Sequence, residues 1–137
     1  MDTRVYLTRW DVERLRGLIE VAVSFADRDS KHLRDLGEKL KSGVVVEPER
    51  IPSDTITMNS RALLKDLDTG KTMIYSIVYP ENADVGQNKI SILAPIGTAL
   101  IGKQTGEVVE WHVPAGIRRL RVIDILYQPE ANGQLYY

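Results

Sequence analysis

The chain contains no cysteine. That removes disulfides, thiol nucleophiles and cysteine-based zinc sites together, and it fits a reducing compartment. Aromatic residues are sparse, with one Phe, two Trp and six Tyr. There are only two histidines, His32 and His112, and no serine–acid arrangement accompanies either, so a catalytic triad is not expected. No apolar run approaches the roughly 20 residues that a membrane-spanning helix needs. The opening stretch MDTRVYLTRWDVERL lacks the apolar core of a signal peptide, so a cytoplasmic location without membrane contact is expected. Charge of one sign is missing too: 18 Lys and Arg balance 19 Asp and Glu, for a net charge of −1. Nucleic-acid-binding domains are typically basic, so no independent nucleic-acid binding is expected. What remains is 137 residues that are 43% hydrophobic and 27% charged. This suits one soluble domain, or a small domain with an appendage.

The apolar period changes near residue 45. Before it, Leu7, Trp10, Leu15, Leu18, Ile19, Ala22 and Phe25 recur mostly three or four residues apart, and Leu33, Leu36, Leu40 and Val44 repeat the pattern. Charged residues fill the gaps, as on helices with one buried stripe. Thr8 is placed to cap the first helix, with Asp11 and Glu13 near its positive end. Gly43 marks the end of the second. The spacing therefore predicts an antiparallel helical hairpin over 8–25 and 30–42, too thin to bury a large core alone. Pro48 and Pro52 delimit a linker over 46–52.

Strand signals follow. Segments 55–58, 62–67, 72–79, 89–93, 107–113 and 118–127 read as strands. Asp68-Thr69-Gly70 is a tight turn with Gly where φ becomes positive. Pro114-Ala115-Gly116 turns the chain again, and 80–88 is a polar loop. Pro95 to Gly102 reads as one short helix, with Pro at its first turn and Gly at its end. The fold class predicted is α+β: a hairpin over 1–45, then a mostly antiparallel sheet with one helix over 53–137.

Residues 65–116 carry ordered motifs: DLDTG, IVYP, KISIL, APIGTALIGKQTGE and VPAG. This stretch resembles the C-terminal domain of the bacterial Gre-factor family, the transcript-cleavage factors, over roughly residues 53 to 128. TMNSR at 57–61, VYP at 78–80 and YQPEA at 127–131 are similar to a short-hairpin branch of that family, the regulators of nucleoside diphosphate kinase. The resemblance implies an FKBP-like fold for 53–137 and a short coiled coil before it. It also implies RNA polymerase as partner, at the coiled-coil rim of the secondary channel. Carried over by motif, the residues that touch that rim are Leu93, Ala94, Pro95, Ile96 and Gly97. Read from the residues alone, Pro95 and Gly97 serve to shape a tight strand-to-helix turn.

Cleavage factors are described as holding a catalytic Mg²⁺ of the polymerase with carboxylates at the hairpin tip. The matching region here offers Asp27 and Asp29, without the family's longer acidic motif. Asp and Ser are also what any helix–helix turn uses, and a solvated, capped turn is the reading the residues favour. An FKBP-like fold raises prolyl isomerase as a rival activity, but fold alone does not transfer chemistry and no cluster of aromatics points to a proline-binding cleft. No cofactor or metal site of its own is expected. Arg118, Arg119 and Arg121 alternate with Leu120 and Val122, as solvated residues on a strand do. The expected function is regulation of elongation by docking on RNA polymerase, in competition with cleavage factors. The alternatives are a true cleavage factor that uses Asp27 and Asp29, and a prolyl isomerase.

Overall fold

The structure, a computed structural model, describes residues 5–25 and 31–134. The two apolar stripes become α1 (Arg9–Phe25) and α2 (Lys31–Ser42), within one residue of the bounds that periodicity predicts. Thr8 caps α1 as expected. The Asp11 N–H donates to Thr8 Oγ1 at 3.1 Å, which satisfies one of the free amides of the first turn. Leu33, Leu36 and Leu40 are buried on α2, while Arg34, Asp35 and Glu38 between them stay exposed.

Two strands frame the hairpin that periodicity does not predict. β1 (Tyr6–Thr8) and β2 (Val44–Val46) pair in parallel, Tyr6 opposite Val44. Each has three residues, too few to display a period of two. Their pairing holds the entry and exit of the hairpin side by side.

The larger sheet comprises β3 (Arg61–Asp66), β4 (Thr72–Val78), β5 (Lys89–Ser91), β6 (Val108–Val113) and β7 (Gly116–Tyr127), in the order β5-β4-β3-β7-β6. The predicted hairpin around Asp68-Thr69-Gly70 is the antiparallel β3–β4 pair, and Gly70 takes the expected left-handed φ of +77°. The Asp66 carboxylate closes this turn by accepting the N–H groups of Asp68 at 2.8 Å and Thr69 at 3.1 Å. The second predicted hairpin is the antiparallel β6–β7 pair. A short helix, α3 (Pro95–Leu100), follows β5 and packs against α2 and β6.

Three details differ from the sequence reading. β5 runs parallel to β4, because residues 80–88 coil through two 3₁₀ turns and carry the chain back before it pairs. Segment 55–58 is not a strand. Only Thr55 makes a bridge, to Gln104, and Asn59 turns the chain out of extended geometry with a φ of +66°. Its polar backbone is met by other elements: the Ile56 N–H donates to the Lys103 carbonyl at 2.8 Å and the Met58 N–H to Asp11 Oδ2 at 3.2 Å. Finally, α3 ends at Leu100 rather than Gly102.

The core is continuous across both halves. Leu7, Val12, Leu15, Leu36 and Leu40 join Ile56, Met58, Leu64, Ile77, Leu100, Ile101, Leu120 and Val122 in one buried cluster. The thin hairpin is thus held by the sheet half, and burial of about 1.5–3 kcal/mol per large aliphatic side chain binds the two together. No described helix is long and apolar enough to cross a membrane.

Candidate docking site

The turn from β5 into α3 is built by short-range chemistry. Ser91 organises it: its hydroxyl accepts the Leu93 N–H at 3.1 Å and its carbonyl the Ala94 N–H at 3.0 Å. Pro95 then fixes the first helical φ, and Thr98 Oγ1 returns a bond to the Pro95 carbonyl at 2.9 Å. The five residues singled out by motif are adjacent but differ in exposure. Pro95 is exposed, Leu93, Ala94 and Ile96 are half-buried, and Gly97 is buried. A Cβ on Gly97 would overlap the Ser91 carbonyl oxygen and lie 3.0 Å from Ile92 Cα. Gly97 therefore lets the helix close onto β5, while the other four present a rigid, largely apolar edge.

Beside that edge lies a groove of about 500 Å³. Its walls are α2 on one side, α3 on another and edge strand β6 on the third, with Pro95, Thr98 and Ala99 next to Val109 and Trp111. Charged groups rim it in pairs, including Lys31 with Asp35 at 3.1 Å and Lys103 with Glu107 at 3.9 Å.

The sequence reading missed the residue that ties these walls together. Lys39 on α2 sends Nζ to three carbonyls at the end of α3: Thr98 at 2.8 Å, Ala99 at 2.9 Å and Ile101 at 2.9 Å. The last carbonyls of a helix lack partners within it, and a cation there also meets the negative end of the helix dipole. Burial pulls the Lys39 ammonium down to about 7, with Lys103 acting the same way against Asp35 and Glu107. Nothing in the heptad-like spacing marks Lys39, since a lysine flanking an apolar stripe ordinarily points to water.

A second buried titratable group, Asp11, lies in the first turn of α1. Asp11 is 1% exposed, and burial raises its carboxyl to about 7. Glu130 pushes the same way, while the Met58 N–H, Thr8 and Arg14 oppose. Because its folded value lies above the unfolded 3.8, the folded chain keeps a proton that the unfolded chain releases. That contribution to stability is complete below about pH 4 and is lost as pH rises through about 7. Raising pH from about 5 to about 7 should therefore lower stability by on the order of 2 kcal/mol in urea titrations, and Asp11→Asn should remove most of that slope.

Other singled-out residues are placed apart. Arg118 pairs with Asp66 and Arg119 with Asp68, so these arginines anchor the β3–β4 turn to β7. The Asp68 N–H, helped by Arg118, holds the Asp66 carboxyl below its usual range. His32 lines the groove and His112 lies on β6. Tyr75 and Trp111 stand on β4 and β6, three strand positions apart, and the register sets Tyr75 level with Ile125 but Trp111 level with Arg118 on β7, so they do not converge on one cleft. Among the described residues no cluster of metal-ligating side chains forms. Asp27 and Asp29 lie outside the described residues.

This architecture has known counterparts. Residues 51–127 match the family described as "Transcription elongation factor, GreA/GreB, C-term". The chain is 35% identical over 99 residues to the regulator of nucleoside diphosphate kinase of Escherichia coli (strain K12), covering 72% of this chain and 73% of that protein. It is 39% identical over 99 residues to the transcription elongation factor GreA of Orientia tsutsugamushi (strain Boryong), covering 72% of this chain but 62% of that longer relative. A solved prokaryotic transcription elongation factor GreA/GreB from Nitrosomonas europaea is similar with a TM-score of 0.75 at 33% identity, over 92% of this chain and 100% of that one. The matched segment runs from the residues before β3 through β7 and contains the Ser91–Gly97 turn and α3. The chain belongs to the GreA/GreB family of transcription elongation factors.

Proposed function

We propose that this protein regulates elongation by docking on RNA polymerase at the rim of its secondary channel. The contact is made through Leu93, Ala94, Pro95 and Ile96 and the adjoining groove. The observation that carries this reading is the exposed Pro95 edge, held rigid from behind by Gly97 and by Lys39. A pre-set apolar edge loses little conformational freedom on binding. In this reading residues 53–137 act as an FKBP-like docking domain, and 1–45 as a short coiled-coil hairpin joined through 46–52.

The protein competes for the rim, but its hairpin does not serve the active centre. The seventeen residues of α1 extend about 25 Å, and Val12 and Leu15 near its start are already buried in the core. Little length is left to carry a carboxylate down a channel, so the protein blocks cleavage factors instead of acting as one.

Binding of purified core polymerase tests the contact. Pro95→Ala and Ile96→Asp should each weaken it by about 2 kcal/mol, roughly 30-fold, the size of effect seen when an interface anchor is lost. Circular dichroism should be unchanged for Pro95→Ala, which removes only exposed atoms. Undiminished affinity in both variants would exclude this edge as the docking element.

A further inference from the structure

The five-stranded sheet has one face in the core, where Ala62, Leu64, Leu120 and Val122 point. Its other face is open. Of the eight large apolar side chains exposed among the described residues, five lie on β4, β6 and β7: Ile74, Val108, Ile117, Ile123 and Leu126. Apolar exposure is therefore concentrated on this sheet, which marks an interaction surface more than chance scatter does.

Cations stand among these aliphatics. Lys65 on β3 lies directly opposite Arg121 on β7, and Arg61 follows on the same face of β3. Unlike Arg118 and Arg119, none of the three has an acidic partner among the described residues. Like charges opposite one another on neighbouring strands cost stability, and Asp124, a carboxylate that stands opposite Leu63 on the same face, forms no ion pair with them.

The chemistry of the face narrows its occupant. A two-fold dimer centred on Lys65 and Arg121 would bring them against the same cations of a second copy. Single-stranded nucleic acid stacks successive bases on several aromatic rings, whereas among the described residues this face carries only Tyr127, opposite Arg61, and Tyr75 and Trp111 alternate onto the opposite face, toward the core. A protein surface that sets carboxylates among aliphatic side chains meets both features. The face is also continuous with the docking groove. Val108 and Glu110 belong to the outward side of edge strand β6 and line the groove as well.

We propose that the outward face around Arg61, Lys65 and Arg121 is a second docking surface, which takes an acidic, aliphatic patch of the same polymerase as it passes round β6 from the groove. This rests on the docking reading above. The test is affinity for DNA-free core RNA polymerase across a salt series. Arg61→Glu/Lys65→Glu/Arg121→Glu should bind about tenfold more weakly at low ionic strength, and the gap should close as salt rises, because exposed charges are screened within about 10 Å at 0.1 M. The neutral Lys65→Gln/Arg121→Gln pair, which removes the like-charge contact and so keeps the fold, should show a smaller loss of the same sign. Ile96→Asp is measured in parallel. If Ile96→Asp weakens binding while both charge variants match wild type at all salts, this second surface is refuted and the first contact stands. If Ile96→Asp has no effect, the docking reading itself fails. Salt-sensitive binding of wild type to duplex DNA or RNA, lost in the triple variant, would overturn the protein partner in favour of nucleic acid.

Discussion

Gly97→Ala is expected to cost about 3 kcal/mol of folding stability, on the order of 10 °C in Tm for a chain of this size. The added methyl would overlap the carbonyl oxygen of Ser91, and Ser91 C lies at 3.1 Å. Backbone cannot rotate away as a side-chain tip can. Either α3 tilts off β5 or the Ser91 turn opens, and both displace Pro95. The variant should lose polymerase affinity along with stability, and the loss of affinity should persist well below its Tm, where the chain is folded. Thermal denaturation followed by binding at low temperature separates the two effects. A Gly97→Ala protein with wild-type Tm would mean that β5 and α3 do not approach as closely as described.

Lys39→Met should be nearly as costly, at about 2–3 kcal/mol. Methionine fills the space but leaves the carbonyls of Thr98, Ala99 and Ile101 without their donor. Each buried acceptor so orphaned carries a desolvation penalty. The loss should be local as well as global: amide exchange in residues 95–101 should accelerate more than in β3 or β7. The pH dependence is distinctive. The folded value of Lys39 lies near 7, below its unfolded 10.5, so the unfolded chain binds the extra proton between those limits. Stability from this group rises as pH climbs from about 7 toward 10, the opposite sense to Asp11. The margin of wild type over Lys39→Met should widen over that window. An unchanged margin would mean that the buried amine does not titrate there.

Much of the fold was legible because it is written in periods and turns. The spacing of Leu15, Leu18, Leu36 and Leu40 marks two helices, and Asp68-Thr69-Gly70 marks a hairpin that forms as read. What was not legible depends on contacts between distant segments. The valines of β2 look like the end of a helical stripe until β1 lies beside them. Segment 55–58 has strand-like residues, but its polar backbone groups are met by Asp11 and Lys103. The direction of β5 depends on how residues 80–88 coil. The same division holds for the site. The edge over 93–97 was accessible through its motif, whereas the groove beside it needs α2, from about sixty residues earlier in the chain, and Lys39 shows its role only once α3 ends against it. Arg121 and Lys65 look like ordinary solvated charges in sequence. Their unrelieved opposition appears only with the register of β3 on β7.

The most direct test of the account is transcript cleavage in a stalled, backtracked polymerase complex. If the protein docks at the rim without reaching the active centre, it should not accelerate cleavage when added alone. It should slow cleavage by a GreA-type factor in proportion to its concentration. Pro95→Ala and Ile96→Asp should relieve that inhibition, and Asp27→Ala/Asp29→Ala should leave it intact. The contrary result is cleavage accelerated by the wild-type protein and abolished by the double aspartate variant. That would make the hairpin tip the working element and the protein a cleavage factor.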